Sequence, residues 1–376
     1  MKRRFLKTLL TLLITISLAS VSAFGVEKKD PIEEMVSKMT LREKIAQMMM
    51  LTFGSWDENL QDGKPAVNFT VMNEQVEWII ENYKPGAIAY FSQNLENTKQ
   101  AYELTKAFQE AATQNDGIPM LICADQEGGL VYRLKSGTAM PGNMALGATA
   151  NPDYSYIAGQ IMGSELSAIG INTNLAPVVD VSTERTSFMY DRSLGQPADI
   201  TSDFASNMVT LMDSYSLGSC LKHFPGYGNN PDTHTGMARD SRSLSQLEEN
   251  DLLPFAAGIK AGCDAILVSH TVVECFDPET PASLSPAVHD YLRETMGFEG
   301  VIVTDDLVMQ AITDTYGAGE AAVLAVLAGN DLLCSTEYTV QYEAVLDAVL
   351  DGRIDIDTLN NAVRRVLQWK INLGLI

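Results

Sequence analysis

Eight short apolar runs recur along the chain after residue 31, and no other feature limits its fold as tightly. They read "MMMLTFG", "GAIAYF", "PMLICAD", "TNLAPVVD", "GSCLKHF", "DAILVSH", "GVIVTDD" and "NDLLCS". Between them lie stretches with helical periodicity, such as "YIAGQIMGSELSAIG" and "LSQLEENDLLPFAAGIKAG". The segment "TLREKIAQMMM" opens with Thr40 and Glu43 three residues apart, the spacing of a capping box. Strands that are apolar at every position belong where both faces are covered, as in parallel sheets. Eight strand–helix units in about 340 residues fit a (β/α)8 barrel in number and length. An open doubly wound sheet is the alternative, but no GxGxxG follows the first strand and the repeat count favours closure. With no low-complexity segment and no break in composition, residues 24–376 are expected to form a single α/β barrel domain.

The residues that end these strands point to function. The third ends in Asp125, the fourth in Asp180, the fifth in Lys222 and His223, the sixth in His270, and the seventh in Asp305 and Asp306. In a closed barrel the C-terminal strand ends converge on one mouth, where catalytic groups sit. Any one of these residues could be a structural cap or an ion-pair partner, but five such strands together imply a polar pocket rich in carboxylates. No HExxH or similar short ligand pair is present, and the five cysteines (Cys123, Cys220, Cys263, Cys275, Cys334) show no zinc spacing. They read as small buried residues rather than a disulfide framework. Neither a metal nor any other cofactor is expected, and carboxylate pairs without a metal suggest glycoside hydrolysis.

The stretch "KHFPGYGNNPDTHTG" runs from a strand into a glycine-rich loop bearing Asp232 and His234. It belongs to an ordered series with "LICADQEGGLVYRL", "NLAPVVDV", "DRSLG", "SHTVVECFDPETPASLS" and "GVIVTDDLVMQAI". The series resembles glycoside hydrolase family 3, in particular its β-N-acetylhexosaminidase branch, over residues 31 to about 330. The resemblance implies a barrel-type catalytic domain and a retaining double displacement through a covalent glycosyl-enzyme. It implies Asp305 as nucleophile, with Asp306 a supporting acid, and His234 as general acid/base with Asp232 as its partner. It also implies that Asp125, Arg133, Arg192, Lys222 and His223 hold hydroxyls of the nonreducing sugar, with His270 lining the same mouth. The chemistry is consistent with the residue types. An imidazole that titrates near neutrality can give a proton to a leaving oxygen and take one back from water, and a neighbouring carboxylate fixes its tautomer. Two departures stand out: Tyr227 replaces the histidine of the usual "GHG", and the segment up to Asp232 is one residue short. His289, in the helical "PAVHDYLRET", reads as an ordinary surface histidine.

The N-terminus reads as an export signal. "MKRRFLK" is basic, "TLLTLLITISL" is apolar, and "VSA" ends at Ala23 with the small residues a signal peptidase needs. Removing residues 1–23 takes away Lys2, Arg3, Arg4 and Lys7 and no acid, so the formal charge moves from −22 to −26. So acidic a chain should repel nucleic acid and anionic membranes. The apolar run is too short for a comfortable span, so no stable membrane insertion is expected. The expectation is therefore a secreted or extracytoplasmic monomer, without the second α/β domain of the β-glucosidase branch. Its expected substrates are GlcNAc-containing glycans or muropeptides from peptidoglycan. A phosphorylase or β-glucosidase of the same family, or a noncatalytic wall-binding barrel, are the competing functions.

Overall fold

A computed structural model of the chain describes residues 30–56 and 67–376; the export segment expected over residues 1–23 lies outside them. The chain divides into two compact units, Met1–Lys38 and Met39–Ile376. In the first, the helix Pro31–Lys38 starts where the Asp30 side chain accepts the Ile32 amide, and it carries a Glu34–Lys38 pair.

In the second unit, all eight expected strands form. They are β1 (Met49–Thr52), β2 (Ala87–Tyr90), β3 (Leu121–Ala124), β4 (Thr173–Asn174), β5 (Gly218–Phe224), β6 (Ala265–Val268), β7 (Val301–Thr304) and β8 (Leu333–Ser335). Neighbours pair in parallel in chain order, and β1 also pairs with β8. The remaining seam, β7 to β8, is held by the parallel bridge Val303–Leu332 and by the Thr304 amide bonding to the Leu332 carbonyl at 3.1 Å. The sheet is a closed α/β barrel.

Side chains alternate along each strand. Met50, Ala87, Ala89, Leu121, Cys123, Cys220, Ala265, Leu267, Val301 and Val303 fill the interior. Leu221, Ile266, Val268 and Ile302 face outward into the helical layer, against Phe255, Leu252 and Val209. Both faces are therefore buried, which is why the strands read as unbroken apolar runs. The helices follow the expected order: α1 (Leu41–Gln47), α2 (Glu74–Tyr83), α3 (Thr98–Ala112), α4 (Pro152–Ala168), α5 (Ala198–Asp213), α6 (Leu252–Lys260), α7 (Ala318–Ala328), α8 (Tyr338–Leu350) and α9 (Ile356–Asn372). The Thr40–Glu43 capping box starts α1. Helix α9 buries Leu359, Val363, Val366 and Lys370 at helical spacing, and Val366 and Trp369 join the cluster that fills the barrel interior.

Candidate active site

A cavity of about 740 Å³ opens at the C-terminal ends of the strands. Asp125, Glu127, Arg133, Arg192, Lys222, His223, His234, Asp305 and Asp306 all line it. Lys222 and His223 are adjacent in sequence yet both face the cavity. The β5–β6 ladder shifts register between Lys222 and Phe224, with Lys222 opposite Leu267 and Phe224 opposite Val268, and such an irregularity re-aims side chains at active sites.

On one wall, Lys222 Nζ sits 2.6 Å from Asp125 Oδ1 and 2.8 Å from Glu127 Oε1. Arg133 donates to Asp125 Oδ2 at 2.9 Å. Arg192 grips Glu127 with two bonds, at 2.7 and 3.0 Å. Two acids and three cations thus interlock. Burial would raise the Asp125 carboxyl, but Lys222 and Arg133 outweigh it and hold it well below the usual range. Glu127 is lowered in the same way, against burial, by Lys222 and Arg192. Burial acts to lower Lys222, yet Asp125 and Glu127 hold it above its usual value. The cage stays fully charged, as it must, because an unpaired charge at this depth would cost several kcal/mol.

Beside this cage, His223 Nδ1 meets Asp180 Oδ2 at 2.8 Å, while its Nε2 lies 3.4 Å from Arg192. Asp180, the strand-end acid given no role in the sugar site, thus orients a cavity histidine from behind.

Asp305 directly follows β7. Its Oδ1 accepts the Asp306 amide at 2.9 Å, and among the described residues Oδ2 accepts no hydrogen bond. Burial pushes this carboxyl up, but His270, His223, the Asp306 amide and His234 together hold it below its usual value. Burial also lowers the pKa of His270. Asp306 goes the other way. Burial raises it, and its oxygens are taken up by the Val308 amide (3.2 Å) and the Thr336 hydroxyl (2.6 Å). Two adjacent acids with carboxyls pushed apart have separate jobs: Asp305, held low, presents an oxygen with no hydrogen bond among the described residues, whereas Asp306 ties β7 to the segment after β8.

His234 stands over the cavity on the loop after β5, with its side chain 57% exposed. Its Nδ1 is 2.6 Å from Asp232 Oδ1, and the same oxygen accepts the His234 amide at 2.9 Å. Asp232 itself does not line the cavity. With Nδ1 engaged, Nε2 is the nitrogen left to exchange a proton. Phe188 packs edge-on against the His234 ring at 5.8 Å.

Two sequence expectations need correction. His270 does not line the mouth. It is fully buried behind it, bonded to the Ser283 hydroxyl (2.7 Å) and the Asp306 carbonyl (2.9 Å). His289 is not a surface residue. It is buried with Nδ1 2.9 Å from the Ser285 carbonyl, and burial lowers its pKa. Glu127 was missed altogether; its only signal is a second acid within "ADQEGG". Four of the five cysteines are buried, Cys275 is partly so, and all are free. Among the described residues no group of three or more acid, histidine or cysteine side chains is arranged to hold a metal ion, and no helix is long and apolar enough to cross a membrane.

Residues 40–369 match the family described as "Glycosyl hydrolase family 3 N terminal domain". A "Beta-hexosaminidase" of Xylella fastidiosa (strain M23) is 33% identical over 80% of this chain and 90% of its own length. A "Beta-hexosaminidase A" of Pseudoalteromonas piscicida is 29% identical over 89% of this chain but only 62% of its own length. The solved structure of a glycoside hydrolase family 3 β-N-acetylglucosaminidase from Paenibacillus sp. str. FPU-7 superposes with a TM-score of 0.83 and 35% identity. That superposition covers 90% of this chain and 63% of the other, so the chain spans less than two thirds of these last two proteins.

Proposed function

The chain belongs to glycosyl hydrolase family 3, and from that premise we propose that it is a retaining β-N-acetylhexosaminidase releasing nonreducing-end β-linked N-acetylglucosamine. One observation carries the reading: the same cavity holds a half-buried, ionised Asp305 and a loop-borne His234 whose Nδ1 is held by Asp232. In the first step Asp305 Oδ2 attacks the anomeric carbon while His234 Nε2–H protonates the departing glycosidic oxygen. In the second, water attacks the glycosyl–Asp305 ester and His234 Nε2 takes its proton. The Asp125–Lys222–Glu127–Arg192 cage with Arg133 offers charged donors and acceptors to sugar hydroxyls, which gain charge-assisted bonds there. The relatives named β-hexosaminidase and β-N-acetylglucosaminidase support the acetamido sugar. Export, and muropeptides as the natural substrate, rest on the leader-like N-terminus.

The test is a panel of aryl β-glycosides (GlcNAc, GalNAc, Glc, Xyl), assayed with and without phosphate, with the first-formed anomer followed by NMR. The expected result is preference for the 2-acetamido sugar by several kcal/mol in kcat/KM, since a site that hydrogen-bonds the acetamide leaves polar groups unpaired without it. The β-anomer should appear first. Equal rates on GlcNAc and Glc, or initial α-anomer, would contradict the reading, and sugar-1-phosphate as main product would make the chain a phosphorylase.

A further inference from the structure

Thr233 separates Asp232 from His234, and its surroundings are unlike theirs. It is completely buried, whereas the His234 side chain is 57% exposed and that of Asp232 26% exposed. Its amide donates to the Tyr227 phenol oxygen at 2.9 Å, and its hydroxyl shares a second bond with the same oxygen at 2.5 Å. Its carbonyl accepts the Ala311 amide at 3.2 Å, from the segment that follows Asp305 and Asp306. Tyr227 is itself buried, its ring packed against Phe188 and His223, and burial raises its phenol, which keeps its proton. The Tyr227 amide donates to Asp180 Oδ1 at 2.6 Å, and the other oxygen of that carboxylate holds His223. One run of bonds therefore joins the segment after β4, the end of β5, the loop and the segment after β7.

The bonds between Asp232 and His234 are local and order the pair only internally. Those that fix the triplet relative to the cavity belong to Thr233. A displacement of about 1 Å in a reacting group can cost on the order of 10²-fold in rate, so whatever sets the reach of His234 sets the efficiency of proton transfer. We propose that Tyr227 and Thr233 form a clasp that positions the His234–Asp232 pair over the Asp305 cavity, neither of them touching substrate. The inference rests on the acid/base reading of His234 given above.

The experiment compares kcat/KM, which reports the glycosylation step, on two substrates: 2,4-dinitrophenyl β-GlcNAc, whose leaving group needs little protonation, and chitobiose, whose leaving group needs full protonation. Tyr227→Phe keeps the ring packing and removes the hydroxyl. Thr233→Val keeps the shape and removes one of the two bonds. Thr233→Ser keeps both. Loss of the clasp should lower chitobiose turnover by about 10- to 100-fold in Tyr227→Phe, less in Thr233→Val, and leave the dinitrophenyl substrate within about threefold. Thr233→Ser should recover most of the chitobiose rate. An equal fold-change on both substrates in Tyr227→Phe, whether an even reduction with a lowered melting temperature or no change in either, would overturn the clasp. His234→Ala separates the two readings. An even loss there would remove the acid/base assignment itself, whereas a leaving-group-dependent loss with an even Tyr227→Phe would remove the clasp alone.

Discussion

At the scale of single residues, the cage of Asp125, Glu127, Arg133, Arg192 and Lys222 is a set of charges that survive burial only because each is paired. Glu127 is the clearest case, with its carboxylate shared between Arg192 and Lys222. Removing one partner of a buried pair costs about 3–5 kcal/mol because the other charges are left exposed to a low dielectric. Glu127→Ala is therefore expected to lower the urea midpoint sharply, and Glu127→Gln to lower it less; midpoints unchanged in both would show the cage to be dispensable for the fold. The sequence disclosed the strand-end members of this site because strand ends converge by topology: Asp125, Lys222, His223 and Asp305 needed no contact information. Glu127 stayed hidden because its partner Arg192 lies 65 residues away, and no local pattern reports so distant a pairing. His270 misled for a related reason. Sequence position places it near the mouth, but whether its ring faces the cavity or the interior is decided by the Ser283 and Asp306 contacts, distant in sequence.

At the scale of elements, the loop after β5 is braced along its length rather than loosely hung. Arg242 bonds Asp240, Asp251 and the Gly226 carbonyl. Asn229 accepts the Thr183 and Glu184 amides, and Asn230 bonds Asp240. Gly226 takes φ 119°, and a Cβ there would lie 2.5 Å from the Asp251 Cβ, beside the Arg242–Asp251 pair. Only glycine suits both the dihedral and the space. Gly226→Ala should cost about 1–3 kcal/mol, read as a lowered melting temperature, and should reduce turnover by shifting Asp232 and His234. A variant as stable and active as the parent would mean that the brace does not govern the loop. The "KHFPGYGNNPDTHTG" glycines and prolines marked a loop in the sequence, but its anchoring by Tyr227 and Arg242 was not legible. The partners of both lie across turns whose geometry no periodicity encodes.

At the scale of the whole molecule, the strands followed from the hydrophobic pattern, because a barrel covered on both faces leaves each strand uniformly apolar, and closure followed from their number and the lack of a GxGxxG after the first. The floor of the barrel was less readable. Lys370 on α9 is completely buried, with Gln47 Oε1 at 2.7 Å as its hydrogen-bond acceptor. Burial pulls its pKa down to about 7 from 10.5. Between those values the unfolded chain holds a proton that the folded chain does not, so this group makes stability rise with pH over that window. Lys370→Met should flatten the rise, reducing the gain between pH 7 and pH 9 by up to about 2–3 kcal/mol in urea titrations; parallel pH slopes for variant and parent would refute it. The central claim, that the mouth of this barrel performs a double displacement on Asp305, is tested most directly by trapping. The protein is incubated with a 5-fluoro N-acetylglucosaminyl donor, digested, and mapped by mass spectrometry. The expected result is a stoichiometric glycosyl adduct on Asp305, absent from Asp305→Ala and present in Asp306→Ala. An adduct on any other residue would contradict it.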